Sequence, residues 1–446
     1  MQDLAKSNVV VVGMAKSGLA AVELLLEKGA RVTATDEKPL AELPQAAALL
    51  ESRGVPFVLQ GEDPFEDCDL IVLSPGVPAD LDSLGRARAR GISVVGELEL
   101  AGWFLRGRSI GITGANGKTT TTALAGHILT QCGVSCQVGG NIGTPPASMV
   151  RSSRDGEWNV LELSSFQLET IETFRAAIGA CLNVTPDHLD RHHTFENYAN
   201  AKARLFETQT GEDFAVLNAG DPTCAGFRGR TAATPFWFSS TGEVERGLWL
   251  DGDHIFFEGR ILLEVADVPL RGRHNLENVM AAAACAILAG VPPERISAAV
   301  ATFPGVEHRL EFVRRRREVD YYNDSKATNV DAVLKAIDAF SGGLWIILGG
   351  KDKGSDYAPL RAPLKAKARA VLLVGAARAK IAAHLAGLGA PLLDCETLDG
   401  AIAAAAREAA PGDTVLLAPA CASFDQFENF EHRGRVFKSL VAALGD

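Results

Sequence analysis

No two cysteines in this 446-residue chain are spaced C-x-x-C. The eight present (Cys68, Cys132, Cys136, Cys181, Cys224, Cys285, Cys395 and Cys421) are scattered. That argues against a disulfide frame or a cysteine zinc site and for reduced thiols. Apolar runs are short, residues 9–12 being typical, and none reaches the ~18 residues of a membrane span. The first residues lack a long apolar core with a small-residue cleavage site, so a cytoplasmic protein with no membrane insertion is expected. Positive charge is in deficit, with 44 Lys and Arg against 55 Asp and Glu and a net charge of −11. Nucleic-acid affinity rests largely on Lys and Arg neutralising phosphates, so no nucleic-acid partner is expected. Tandem repeats and low-complexity tracts are missing too; the alanines at 401–406 read as helix.

What is present is ordinary globular composition, 47% hydrophobic and 22% charged, which excludes disorder as the main state. At about 150 residues per domain, the length suggests about three domains. Apolar runs at 9–12, 31–35, 69–73 and 92–95 alternate with helical patterns such as 18–29, a βαβ series that predicts a parallel sheet. A second series starts with a strand at 109–113 and a helix at 119–130, followed by strands at 159–163, 180–184 and 214–217. Short alternating runs between 234 and 268, with turn signals at Asp251-Gly-Asp and Glu258-Gly, suit a small antiparallel patch, and 274–288 reads as an Ala-rich helix. A third series follows the charged run 314–317, with strands at 344–348, 370–374 and 414–417. The expected fold class is therefore α/β in three domains. A Rossmann-like domain spans 1–96. A central P-loop ATPase-type domain, mostly parallel with the antiparallel patch, spans 97–304. A second Rossmann-like domain spans 305–446. Linkers are expected near 95–97 and near 303–308, where Pro304-Gly305 interrupts the pattern.

Thr113-Gly-Ala-Asn-Gly-Lys-Thr-Thr stands between a strand and a helix. Gly114 and Gly117 let backbone N–H groups turn toward phosphate oxygens, and the helix N-terminus faces the same anion. Lys118 can reach the β- and γ-phosphates, and the Thr119 hydroxyl can ligate Mg²⁺. The G-x-x-x-x-G-K-[ST] spacing is incomplete, because Ile112 occupies the first glycine position. The bland alternative is a glycine turn with a surface lysine. Glu162 lies near the end of an apolar strand, where burial is costly without a compensating cation; a water-facing strand end is the alternative. By themselves His188 reads as a loop histidine and Lys202 as a solvated helix lysine. In the first unit, Gly13, Ala15 and Gly18 form a degenerate G-x-G-x-x-G with Asp36 at the next strand end, a pattern open to a dinucleotide or to another nucleotide diphosphate.

Taken together, Gly114-Ala-Asn-Gly-Lys-Thr-Thr, Gly139-Gly-Asn-Ile-Gly, Glu162-Leu-Ser-Ser-Phe-Gln, Asn183 with Asp187-His188, His274-Asn275 with Asn278, and His308-Arg309 resemble the ATP-dependent Mur ligases of peptidoglycan synthesis, in order along nearly the whole chain. That family's loop is G-x-x-G-K-[ST]. Asp324-Ser-Lys-Ala-Thr-Asn, Gly349-Gly-Lys-Asp-Lys-Gly and the long motif at 418–434 are similar to the branch that adds D-glutamate; the D-N-P-R of the diaminopimelate-adding branch is absent.

The resemblance implies roles residue by residue. ATP is held by Gly114, Asn116, Gly117, Lys118, Thr119, Thr120, Asn275, Asn278, Arg309 and Asp324. Two Mg²⁺ sites use Thr119, Glu162, His188 and Lys202, the last as a carbamate. Lys118, Glu162, His188 and Lys202 form the catalytic set. Ser17, Asp36, Lys38, Ser74, Gly76, Asn141 and His188 meet the substrate UDP-N-acetylmuramoyl-L-alanine. Lys326, Thr328, Lys353, Ser423 and Phe430 hold D-glutamate. The implied reaction is amide formation through an acyl phosphate, by a monomer. A sister ligase adding another residue, a P-loop regulatory ATPase and an NAD-dependent oxidoreductase are the competing readings. The ATPase leaves Lys326 and Lys353 idle, and the oxidoreductase accounts only for residues 13–36.

Overall fold

Strands built from unbroken Val, Ile and Leu become the middle of parallel sheets, where helices cover both faces. In the computed structural model, which describes residues 4–60 and 65–445, such strands organise three sheets. The first contains β1 (Asn8–Val12), β2 (Arg31–Asp36), β3 (Phe57–Leu59), β4 (Leu70–Leu73) and β5 (Ser93–Gly96) in the order β3-β2-β1-β4-β5, parallel throughout. Val9 and Val11 pack into one apolar cluster, while Val10 and Val12 join Ile71 and Leu73 in another. The strand order reverses between β1 and β4, so their carboxyl ends open a crevice of the kind that binds ligands in such sheets.

The second sheet has nine strands: β6 (Arg108–Thr113), β7 (Cys136–Gly140), β8 (Trp158–Glu162), β9 (Ile178–Cys181), β10 (Phe214–Asn218), β11 (Thr234–Ser239), β12 (Gly247–Asp251), β13 (His254–Phe257) and β14 (Arg260–Glu264). Their order is β14-β13-β12-β11-β10-β9-β6-β8-β7, with antiparallel pairing confined to β12-β13-β14. The antiparallel patch is thus an extension of the parallel sheet. The third sheet contains β15 (Glu311–Arg316), β16 (Val319–Asn323), β17 (Leu344–Gly349), β18 (Ala368–Val374), β19 (Leu392–Glu396) and β20 (Thr414–Leu417), ordered β15-β16-β20-β17-β18-β19 and parallel except for β15.

The chain packs as two compact units. One runs to Val268 and takes in His274–Phe303; it holds the first two sheets. The other combines Pro269–Arg273 with the chain from Pro304 onward. All eight cysteines are free. Among the described residues no helix is long and apolar enough to cross a membrane.

Two expectations need correction. Residues 95–97 are no linker: β5 runs straight into the helix Glu97–Gly102. That helix is fastened from inside, because the Glu99 carboxylate accepts from the backbone N–H groups of Glu172, Thr173 and Phe174 at 2.8–2.9 Å and Glu97 Oε1 accepts from Ala147 N at 2.6 Å. The charged run at 314–317 is also not a mere lead-in, since most of it forms the edge strand β15. An edge tolerates charge, and here Arg315 pairs with Asp320 while Arg314 donates to the Ala442 carbonyl at 3.2 Å.

Candidate active site

β6 ends at buried Thr113, the chain turns through residues 114–117, and the helix Lys118–Gln131 begins. Gly117 has φ +89°, and a Cβ there would stand 2.1 Å from Asn278 Oδ1; conformation and space both demand glycine. Asn183, which follows β9, braces the turn. Its Oδ1 accepts from Asn116 N at 2.8 Å, its Nδ2 donates to Asn116 O at 3.1 Å, and its carbonyl accepts from Ala115 N at 2.8 Å. The helix start carries no acidic side chain in its first turn and no side-chain cap, so its N–H groups are suited to an anion. Lys118 Nζ donates to the carbonyls of Gly114 and Ala115, both at 2.9 Å. Thr119 and Thr120 are buried behind it. The helix Arg273–Leu288 brings buried Asn275 and Asn278 to this turn: Asn278 Nδ2 donates to Asn275 Oδ1 at 2.9 Å, and Thr121 Oγ1 donates to Asn278 Oδ1 at 3.4 Å.

Lys202 is not a solvated helix lysine. It lies on the inner face of the helix Phe195–Glu207, only 1% exposed. Its Nζ donates to Gly114 O at 2.9 Å and stands 4.4 Å from the Tyr198 ring centre. Burial, reinforced by the like charge of Lys118, pulls its ammonium down to about 7. Glu162 does not face water either, at 2% exposed. Its Oε1 accepts from Asn141 Nδ2 at 3.0 Å, while its buried Oε2 makes no hydrogen bond. An unpartnered carboxylate oxygen at a buried strand end is costly unless a cation meets it. His188 is exposed, adopts φ +52° ahead of the helix Leu189–His192, and sets its ring 4.9 Å from that of Phe166. The sequence places Asn183 in the motif it shares with Asp187 and His188 but assigns it no role; that it braces the turn is visible only in the structure.

At the crevice of the first sheet, a cavity of about 560 Å³ is lined by Ser17, Asp36, Lys38, Ser74, Gly76 and Asn141. Six of the seven positions that the resemblance assigns to the sugar-nucleotide substrate therefore border one space, and His188 is not among the residues lining it. Lys16, Gln60 and Gln167 line it as well, and the sequence assigns none of them to the substrate. Asp36 holds the glycine turn from below, its Oδ2 accepting from Met14 N at 2.6 Å and its Oδ1 from Lys38 N at 3.0 Å. Gly18 approaches so closely that a Cβ would fall 1.8 Å from Gly13 O. Lys16 Nζ donates to Gly143 O, tying the first sheet's helix to the loop that carries Asn141.

In the second unit, Asp324 is buried; burial pushes its carboxyl up to about 6 against the pull of Arg309 and of the Leu310 N–H. The Lys326 backbone N–H donates to His308 O at 3.1 Å, that of Thr328 donates to Lys326 O at 2.8 Å, and Lys326 Nζ stands 5.8 Å from the Phe430 ring centre. Ser423 is buried and Lys353 is exposed. Arg433 joins these loops. Its Nε donates to Ser325 Oγ at 2.9 Å and its Nη1 to Cys421 O at 3.2 Å, and burial pulls its guanidinium down to about 10. Tyr357 Oη donates to Asp352 Oδ1 at 2.7 Å and lies 3.0 Å from Cys421 Sγ, which ties the Lys353 loop to the Ser423 loop. Neither Arg433 nor Tyr357 announces this role in sequence.

Family descriptions match all three regions: the MurD-like N-terminal domain of Mur ligases over 7–96, the Mur ligase middle domain over 112–286 and the Mur ligase glutamate ligase domain over 308–421. The chain is 62% identical over 437 residues to UDP-N-acetylmuramoylalanine–D-glutamate ligase of Solibacter usitatus, covering 98% of each chain. The chain belongs to the Mur ligase family. The enzyme of the same name from Koribacter versatilis is 51% identical over 450 residues, covering 100% of this chain and 99% of its own. The Mur ligase fold itself recurs in UDP-N-acetylmuramate-alanine ligase of Thermotoga maritima, with a TM-score of 0.61 at 19% identity over 98% of this chain and 99% of that one.

Proposed function

We propose that this Mur ligase is an ATP-dependent acid–D-amino-acid ligase that joins D-glutamate to UDP-N-acetylmuramoyl-L-alanine, releasing ADP and phosphate, in peptidoglycan precursor synthesis. The observation that carries the reading is the position of Asn141, which lines the 560 Å³ cavity and donates to Glu162. One side chain thus belongs both to the proposed sugar-nucleotide site and to the phosphoryl-transfer site.

A carboxylate does not condense with an amine in water at a useful rate, because oxide is the leaving group. The alanyl carboxylate oxygen attacks the γ-phosphorus of ATP and ADP departs. The amine of D-glutamate then adds to the acyl carbon, phosphate leaves, and the amine's proton passes to solvent or to phosphate. Lys118 and the N–H groups at residues 114–120 hold the phosphates. The free Oε2 of Glu162 and the Thr119 hydroxyl fit a first Mg²⁺, and His188 with a carbamylated Lys202 a second. Among the described residues no group of three or more His, Cys, Asp or Glu could by itself hold a metal ion. Bound Mg²⁺ supplies neutralisation of the phosphate charge. Lys202, at about 7, is substantially neutral near pH 8, and the neutral amine is the form that adds CO₂. The carbamate would also replace repulsion with Lys118 by attraction.

Gly114, Asn116, Gly117, Thr120, Asn275, Asn278, Arg309 and Asp324 complete the ATP contacts in this reading. Ser17, Asp36, Lys38, Ser74 and Gly76 receive the UDP end. Glutamate brings two carboxylates, so its site should be cationic; Lys326 and Lys353 with the Thr328 and Ser423 hydroxyls, beside Phe430, meet that need. We place domain boundaries after 96 and after 304, and expect a cytoplasmic monomer. The test is phosphate release across a panel of D- and L-amino acids. Release should require both the UDP-sugar peptide and D-glutamate; release without either would point to a regulatory ATPase.

A further inference from the structure

Arg191 lies three residues beyond His188, in the helix Leu189–His192. Its Nη2 donates to the Val77 carbonyl and to Glu169 Oε2, both at 2.9 Å, and its Nη1 donates to the Gly76 carbonyl at 3.4 Å. The guanidinium carbon stands 5.1 Å from the centre of the Phe166 ring, the same ring that His188 leans on. The other oxygen of Glu169 lies 3.1 Å from His192 Nδ1, and His192 Nε2 lies 2.9 Å from Ser165 Oγ. The three charged or titratable side chains are well shielded: Arg191 is 14% exposed, Glu169 19% and His192 3%. All of them belong to one compact unit.

This network connects two places that the reaction must keep in register. Gly76 and Val77 form a wall of the sugar-nucleotide cavity. Ser165 and Phe166 stand three and four residues after Glu162. A shielded ion pair adds little net stability, and a registry role is its best-attested use. A planar fork can serve a loop carbonyl and a carboxylate together, which an ammonium does less well.

We propose that Arg191, acting through Glu169 and His192, is a positioning residue that locks the 74–77 wall of the sugar-nucleotide cavity to the segment bearing Glu162 and His188. The inference rests on the ligase reading above and adds to it that acceptor binding and phosphoryl transfer share one side-chain network.

Arg191→Gln, Arg191→Lys, Glu169→Gln and the double variant Arg191→Gln/Glu169→Gln in the full chain test it. Arg191→Gln is expected to raise the KM for UDP-N-acetylmuramoyl-L-alanine about tenfold, leaving the KM for D-glutamate within about twofold. Arg191→Lys should recover part of the loss. The double variant should be little worse than Arg191→Gln, since linked residues are non-additive. Unchanged values, an equal rise in every KM, or additive effects would overturn the proposal. If Arg191→Gln does not fold, Arg191→Lys decides, with a rise confined to the UDP substrate in favour and no selective rise against. Calorimetric binding of that substrate without ATP or D-glutamate separates the two claims. A weaker Kd in the Arg191 variants supports the network even if wild type forms no amide, and an unchanged Kd sinks it even if wild type is a ligase.

Discussion

Lys118 and Lys202 converge on one acceptor: each Nζ stands 2.9 Å from the carbonyl oxygen of Gly114. Two ammonium groups on one carbonyl repel, and only Lys202 is almost wholly buried. Burial first, and the neighbouring Lys118 ammonium second, loosen the proton on Lys202 and bring it to about 7.

The stability consequence has a definite sign. Lys202 is protonated at lower pH in the unfolded chain and, at a cost, in the folded one. That cost is full below about pH 7 and is lifted as pH rises from there toward 10.5. Lys202→Met is expected to raise stability at pH 6 on the order of 2 kcal/mol and much less at pH 10. Urea midpoints at the two pH values measure it; equal gains would contradict the assignment.

The same amine should respond to bicarbonate. Phosphate release under turnover is expected to rise with added bicarbonate, more at pH 8 than at pH 6. Lys202→Arg, which stays protonated and cannot form a carbamate, should lose about 100-fold or more. A fully active arginine variant would remove Lys202 from the mechanism.

Glu97 titrates in the opposite sense. Complete burial pushes its carboxyl up to about 8, against the Ala147 N–H that favours the charged form. Folding therefore takes up a proton between about 4.5 and 8, and the group's contribution to stability falls as pH rises through that window. Glu97→Gln keeps an acceptor for Ala147 N and is expected to exceed wild type at pH 9 on the order of 2 kcal/mol, with little difference at pH 5. Parallel pH profiles of urea stability would refute this.

Asn141→Asp sets a second carboxylate against Glu162. Like charges at hydrogen-bond distance are costly in a buried site, so kcat is expected to fall about 100-fold while the KM for the UDP substrate rises. Steady-state kinetics with each substrate varied in turn would show it; a change in the D-glutamate KM alone would not fit.

Lys353→Ala should raise the D-glutamate KM far more than the ATP KM. Comparable effects on both would argue against a glutamate role. Asp352, next along the loop, is held well below the usual carboxylate range by Lys380 and Tyr357, so the loop should keep its anchor in this variant.

Strands such as β1, β4 and β17 were legible because apolar runs buried on both faces leave a continuous signature. β15 was not, because four consecutive arginines resemble a loop until the far ends of their side chains are paired. The phosphate turn was legible for a related reason. Its glycines, lysine and threonine lie within six residues between an apolar strand and a helix, so that local context points to a phosphate turn although the usual first glycine is missing.

Local order thus determined the three α/β series and the phosphate turn. Tertiary structure alone decided that Lys202 shares an acceptor with Lys118, that Glu162 keeps one oxygen free, and that Arg191 donates to the Gly76 and Val77 carbonyls. The physical reason is that conformation follows from neighbours along the chain, whereas a side chain's charge and reactivity follow from neighbours across it, and burial is a property no single segment possesses.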